Sequence, residues 1–140
     1  MRARLILAIA LVSATGCPRL PPPAPRPAVT LERIDRAAGS LRARFQIHNR
    51  GAVALTLSAI DWELAPGGRP LLRGRALARR AFGPDQRATV EVAIAVPAAL
   101  EPALQGAAAA GGIRLRGTFH LEDATGTGAP APFDVLAAPP

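Results

Sequence analysis

Much of the chain between Leu41 and Leu121 alternates between apolar and polar residues. Leu41, Ala43, Phe45 and Ile47 fall on one side of a run, with Arg42, Arg44, Gln46 and His48 on the other. Ile60, Trp62 and Leu64 alternate with Asp61 and Glu63, and Val90, Val92, Ile94 and Val96 alternate with Glu91, Ala93 and Ala95. Ile113, Leu115, Gly117, Phe119 and Leu121 alternate with Arg114, Arg116, Thr118 and His120. A period of two sends successive side chains to opposite faces of an extended backbone, so each run predicts a strand with one buried face. Val29 to Ile34, Leu71 to Arg75 and Pro132 to Leu136 are shorter, less regular runs of the same kind. Ala38-Gly39-Ser40, Asn49-Arg50-Gly51, Pro66-Gly67-Gly68 and Gly83-Pro84-Asp85 separate the runs with turn chemistry, and Pro66-Gly67-Gly68 reads as a hairpin loop. One segment breaks the pattern. Pro97 to Gly106 is alanine-rich, with Leu100 and Leu104 four apart and a proline suited to a helix start, so it predicts a short helix capping one end of the domain. Gly111-Gly112 then releases the chain into the next strand. About seven strands with regular turns predict an all-β fold, an antiparallel β-sandwich with one short helix, over residues 28–138.

The N-terminus follows different rules. Arg2 and Arg4 precede an unbroken apolar run, Leu5 to Val12, which gives way to small residues and then Cys17. A positive start, an apolar stretch and a small-residue cleavage zone make a signal peptide. The run is far shorter than the ~20 residues that span a bilayer. Ala14-Thr15-Gly16-Cys17 resembles the lipobox of bacterial lipoproteins, in which the thiol receives a diacylglyceryl group and the signal is cut just before the cysteine. The resemblance implies a signal peptide over 1–16 and lipidation of Cys17. Cys17 is the chain's single cysteine, so no internal disulfide is available to it. Two or three acyl chains anchor stably where one does not. Pro18 after the cysteine, in place of the aspartate of inner-membrane retention signals, points toward the outer membrane. Cleavage by the ordinary signal peptidase, leaving a secreted or periplasmic soluble form, is the alternative. From Pro18 to Pro27 six of ten residues are proline, which excludes helix and inner strand and favours extended polyproline II. Residues 17–27 therefore read as a lipidated cysteine and a semi-rigid tether.

Composition narrows the partners. The net charge is +7 and every basic residue is arginine. The arginines are scattered and no aromatic residues are interleaved to stack on bases, which argues against nucleic acid. Anionic surfaces and envelope proteins remain the natural partners, beside the membrane itself. Aromatics are only 4% of residues, so the core is expected to rest on Leu, Ile, Val and Ala.

The order of these features resembles the late-embryogenesis-abundant type 2 family, also called the water stress and hypersensitive response domain, from about Val29 to Leu136. Phe45-Gln46-Ile47-His48-Asn49 matches a strand ending in asparagine. Leu55, Leu57, Ile60 and Trp62 match the apolar strand that follows. Gly74, Val90 to Pro97, the strand around Gly117 and Pro132-Phe133 match the later motifs. Arg50 stands where the family has proline. The resemblance implies an Ig-like or fibronectin-like sandwich with a stress or desiccation role, and carries over no catalytic residues.

Reactive groups are sparse. His48 and His120 both project from polar strand faces, where they either meet as a metal pair or stand as solvated surface residues; two histidines without carboxylates do not close a metal site. Asp61 and Glu63 form the polar side of their strand, Trp62 reads as core, and Ser40 and Ser58 have no histidine nearby in sequence. Gly106 to Gly112 lacks the lysine and hydroxyl of a phosphate loop. Neither catalytic residues, nor a cofactor, nor a metal is expected. The sequence thus predicts a membrane-anchored, non-catalytic module that protects against drying or binds envelope components. An interaction or scaffold module in an envelope assembly is the alternative.

Overall fold

A computed structural model describes residues 25–137. The signal segment, Cys17 and the tether as far as residue 24 lie outside the described residues. The chain forms β1 (Ala28–Ala37), β2 (Ser40–His48), β3 (Leu55–Pro66), β4 (Leu72–Phe82), β5 (Arg87–Ala95), a 3-10 turn (Ala98–Leu100), α1 (Glu101–Gly111), β6 (Ile113–Glu122) and β7 (Ala131–Ala137). The strands make two antiparallel sheets, ordered β1-β2-β5 and β4-β3-β6-β7. This is the predicted all-β sandwich with one short helix.

The alternating runs behave as expected. Leu41, Ala43, Phe45 and Ile47 of β2 are buried, as are Val90, Val92 and Ile94 of β5 and Leu115, Phe119 and Leu121 of β6. The core differs from the aliphatic one that composition suggests. All four phenylalanines are buried, and Phe45, Phe119 and Phe133 pack as a trio with ring centroids 4.8–5.2 Å apart. The trio joins β2 of one sheet to β6 and β7 of the other, with aliphatic side chains around it. Burying each such ring contributes about 1.5–3 kcal/mol.

Three elements run longer than their sequence signals. β1 extends from Ala28 to Ala37, with a register shift between Leu31 and Arg33. β4 reaches Phe82, well beyond Arg75. It is an edge strand whose inner side between Leu72 and the buried Phe82 carries small residues at Gly74, Ala76 and Ala78, so its alternation there has little hydrophobic contrast. The helix continues past Gly106 to Gly111, because the alanine run sustains it. It stops at Gly112, whose φ of 80° suits glycine and whose N–H donates to the Ala108 carbonyl.

Leu104 and Ala108 bury one face of α1. Glu101 accepts hydrogen bonds from the Gly39 N–H (2.7 Å) and from Arg36 (3.2 Å), fastening the helix to the β1–β2 turn. At its far end the Gly67 N–H donates to the Gly112 carbonyl (3.3 Å), fastening it to the β3–β4 hairpin. The helix thus closes one end of the sandwich. The loops after β2, β4 and β6 lie at the other end. There Pro25 and Pro27 share depressions with Val53, Leu55, Gly128 and Ala129.

Candidate functional site

The outer face of the four-stranded sheet carries the densest polar chemistry. Antiparallel pairing sets its side chains in rows across the strands. Arg75, Asp61, Thr118 and Pro132 form one row, and Arg73, Glu63, Arg116 and Asp134 the next. Opposite charges meet within and between rows. Arg116 Nε donates to Glu63 (2.7 Å), and Arg114 grips Asp134 with two hydrogen bonds of 2.7 and 2.6 Å. Asp61 lies between Arg75 (3.6 Å) and the His120 Nε2 (2.7 Å). A shallow, open groove crosses this face over Gly74 and Gly117, walled by Arg73, Arg75, Asp61, Glu63, Arg116 and Asp134. Exposed pairs of this kind add little stability. They hold charged groups in a fixed pattern on an open surface, suited to hydrogen bonding and ion exchange with a polar partner.

The structure separates the two histidines. His48 is on β2 and His120 on β6, in different sheets, and each has its own carboxylate, Asp85 (2.6 Å) and Asp61 (2.7 Å). They do not form a metal pair. Among the described residues no group of three or more His, Cys, Asp or Glu side chains is placed to hold a metal ion. Folding does bring Ser58 beside His120, a proximity invisible in the sequence. The Ser58 hydroxyl, however, bonds to the His120 carbonyl and to Glu122 (both 3.2 Å), and the imidazole Nε2 is taken by Asp61. Nucleophilic catalysis requires a hydroxyl hydrogen-bonded to its base, and this arrangement does not supply one. Trp62 is half-buried, packing over Gly74 and against the core. That leaves it more exposed than its inward strand position suggests.

Two carboxylates are held below their usual range. The Arg114 hydrogen bonds lower Asp134, with Arg114 itself raised in return. The Thr125 hydroxyl, then the Thr127 N–H, lower Asp123 in the β6–β7 loop. A carboxylate whose folded pKa lies below its unfolded value stabilises the fold above the unfolded pKa. That stabilisation is lost as pH falls through the folded one. The melting temperature is therefore expected to decline gently as pH falls from about 5 toward 2. Asp134→Asn should flatten part of that decline, and an unchanged acid profile in the variant would show that the pair contributes nothing.

Charge is distributed unevenly. The stretch from Gly67 to Pro84, which includes all of β4, holds Arg69, Arg73, Arg75, Arg79 and Arg80 and no acidic residue. All five arginines are exposed, and Leu77 among them is 84% exposed. Arg73, Arg75, Arg79 and Arg80 are thereby gathered onto one sheet edge.

No family model matches the chain, and no curated protein matches it in sequence. Solved structures share its fold. A protein from Archaeoglobus fulgidus is 12% identical, with a TM-score of 0.57 over 81% of this chain and 94% of that one. A protein assigned as ApaA in Bordetella pertussis is 16% identical, with a TM-score of 0.58 over 84% and 98%. A solution structure assigned to the late embryogenesis abundant proteins is 13% identical, with a TM-score of 0.59 over 81% and 70%. At these identities the likeness is one of fold.

Proposed function

We propose that this chain is a lipid-anchored, non-catalytic β-sandwich that protects the cell envelope during water loss by direct contact with its components. The observation that carries the reading is the pair of open outer faces, whose charges are locked to one another across strands. On the four-stranded sheet these are Arg114–Asp134, Arg116–Glu63 and Asp61–His120. On the three-stranded sheet Glu91 lies between Arg42 (3.9 Å) and Arg44 (3.7 Å). Such faces offer many exchangeable polar contacts in place of hydration, over a rigid core. The fold likeness to a late embryogenesis abundant protein supports the same role. The lipid on Cys17 would supply the anchor, in the outer membrane, and the proline-rich tether the standoff. Because Pro25 and Pro27 meet the loop end of the sandwich, that end would face the membrane and α1 would point away.

Deleting the gene and drying the cells tests the role. Survival and retention of envelope contents should fall, and be restored by the wild-type chain but not by Cys17→Ala. Unchanged survival with intact membranes would count against it. A second reading, an interaction module in an envelope assembly, is favoured by the single-signed β4 edge. A partner co-purifying in stoichiometric amount would support it.

A further inference from the structure

We infer that the β4 edge is a docking site for an extended acidic polypeptide segment, which adds to the four-stranded sheet as a fifth strand. The inference rests on the reading that this module works by non-covalent contact. Among the described residues β4 hydrogen-bonds to β3 alone and ends its sheet. An edge strand presents a row of unpaired N–H and C=O groups on its outer side, a template for another strand. Near its C-terminal end Arg80 reaches across to the Thr89 carbonyl of β5, closing that part of the edge against the other sheet. The open stretch is Leu72 to Arg79.

Charge selects the partner. Along this stretch Arg73, Arg75 and Arg79 recur at every second or fourth position, with Leu77 between them. An incoming strand pairs residue against residue, and opposite charges facing each other across strands are favourable. The matching segment therefore has acidic residues at alternate positions and one apolar residue to cover Leu77. The other sheet edges are not of this kind. β1 mixes Glu32 and Asp35 with Arg33 and Arg36, β5 carries both Arg87 and Glu91, and β7 is short and carries Pro132 and Asp134. Charge on an edge also serves to repel unwanted strands, and mixed signs serve that purpose equally well. Single-signed arginines beside an exposed leucine go further, favouring one class of partner. An anionic lipid surface meets the charge but offers no backbone groups to continue the ladder.

The test uses the full chain in detergent and a fluorescein-labelled peptide alternating Glu and Thr, with Val in place of the one Glu that would face Leu77. A control peptide keeps every Glu and replaces every Thr with Pro, so that it cannot join a ladder. Vesicles of phosphatidylglycerol form the third probe. The Thr peptide should bind saturably and slow amide hydrogen exchange along β4. Binding should weaken at least about tenfold for the Pro peptide and for the chain carrying Arg73→Gln with Arg79→Gln, a loss of about 1.4 kcal/mol. Equal binding of both peptides, binding of vesicles alone, or no change in β4 exchange would overturn the inference. A chain that protects drying cells yet ignores the Thr peptide overturns only the docking site. One that binds it without protecting overturns only the protective role.

Discussion

Gly117→Ala is expected to cost about 3 kcal/mol or more, lowering the melting temperature by about 10 °C or more. Gly117 sits mid-strand in β6, between Trp62 of β3 and Phe133 of β7. A Cβ there would lie inside van der Waals contact of the Asp61 carbonyl oxygen and 2.8 Å from the Phe133 ring. The oxygen belongs to the backbone of the neighbouring strand, so relief requires breaking the β3–β6 ladder at the centre of the sheet. Phe133 is packed against Phe45 and Phe119, so moving its ring also disturbs the aromatic trio. Gly74 makes the informative comparison. The three atoms nearest a Cβ there all belong to the Trp62 ring, a half-buried side chain rather than backbone. Gly74→Ala should therefore cost clearly less than Gly117→Ala in the same thermal melts. Equal or reversed costs would contradict the placement of Trp62 over Gly74.

Asn49→Ala is expected to cost about 2–4 kcal/mol, read as a drop in the urea midpoint without a change in slope. Asn49 is the one buried polar residue among those described, at 2% exposure. Its amide donates to the carbonyls of Val53 (2.8 Å) and Gly83 (3.0 Å), with a longer contact to Phe82 (3.4 Å), and its side-chain oxygen accepts from the Gly51 N–H (3.1 Å). Its own backbone N–H donates to the Gln86 carbonyl (2.9 Å). One side chain thus pins the β2–β3 loop to the β4–β5 loop, at the end of the sandwich where Pro25 and Pro27 enter. Alanine takes the amide donor from the part-buried Val53 carbonyl, one of two donors from the Gly83 carbonyl, and the side-chain acceptor from the Gly51 N–H, and losing such partners away from water costs more than the bonds contribute. Asn49→Asp should be worse at neutral pH, because a carboxylate would face carbonyl oxygens and cannot donate. A stability for Asn49→Asp equal to wild type would refute the hub.

How much of this was legible in the sequence depends on contrast between neighbouring positions. β2, β5 and β6 were readable because large apolar residues alternate with charged or small ones, and burial follows that alternation. β4 was only half readable, because alanine and glycine stand where a central strand would carry valine or isoleucine. Asn49 reads as a turn residue from its neighbours Arg50 and Gly51, and it does start a turn. Its larger role comes from carbonyls more than thirty residues away, which no local pattern encodes. The same limit applies to His48 and His120, which share a polar-face signature yet stand in different sheets, and to Ser58, which folding sets beside His120. The arginine edge was written in the chain as a run of residues without an acid. Its meaning as an edge appears only with the strand order.

The proposed function joins two halves of the chain that obey different physics. The sandwich rests on its core and on Asn49. The proposed anchor needs only Cys17 and the segment before it. Mass spectrometry of the mature N-terminus, on protein recovered from its native host, tests the join directly. The account predicts a chain beginning at Cys17 with a diacylglyceryl group on its sulfur. A mature chain beginning elsewhere, or an unmodified Cys17 thiol, would contradict it.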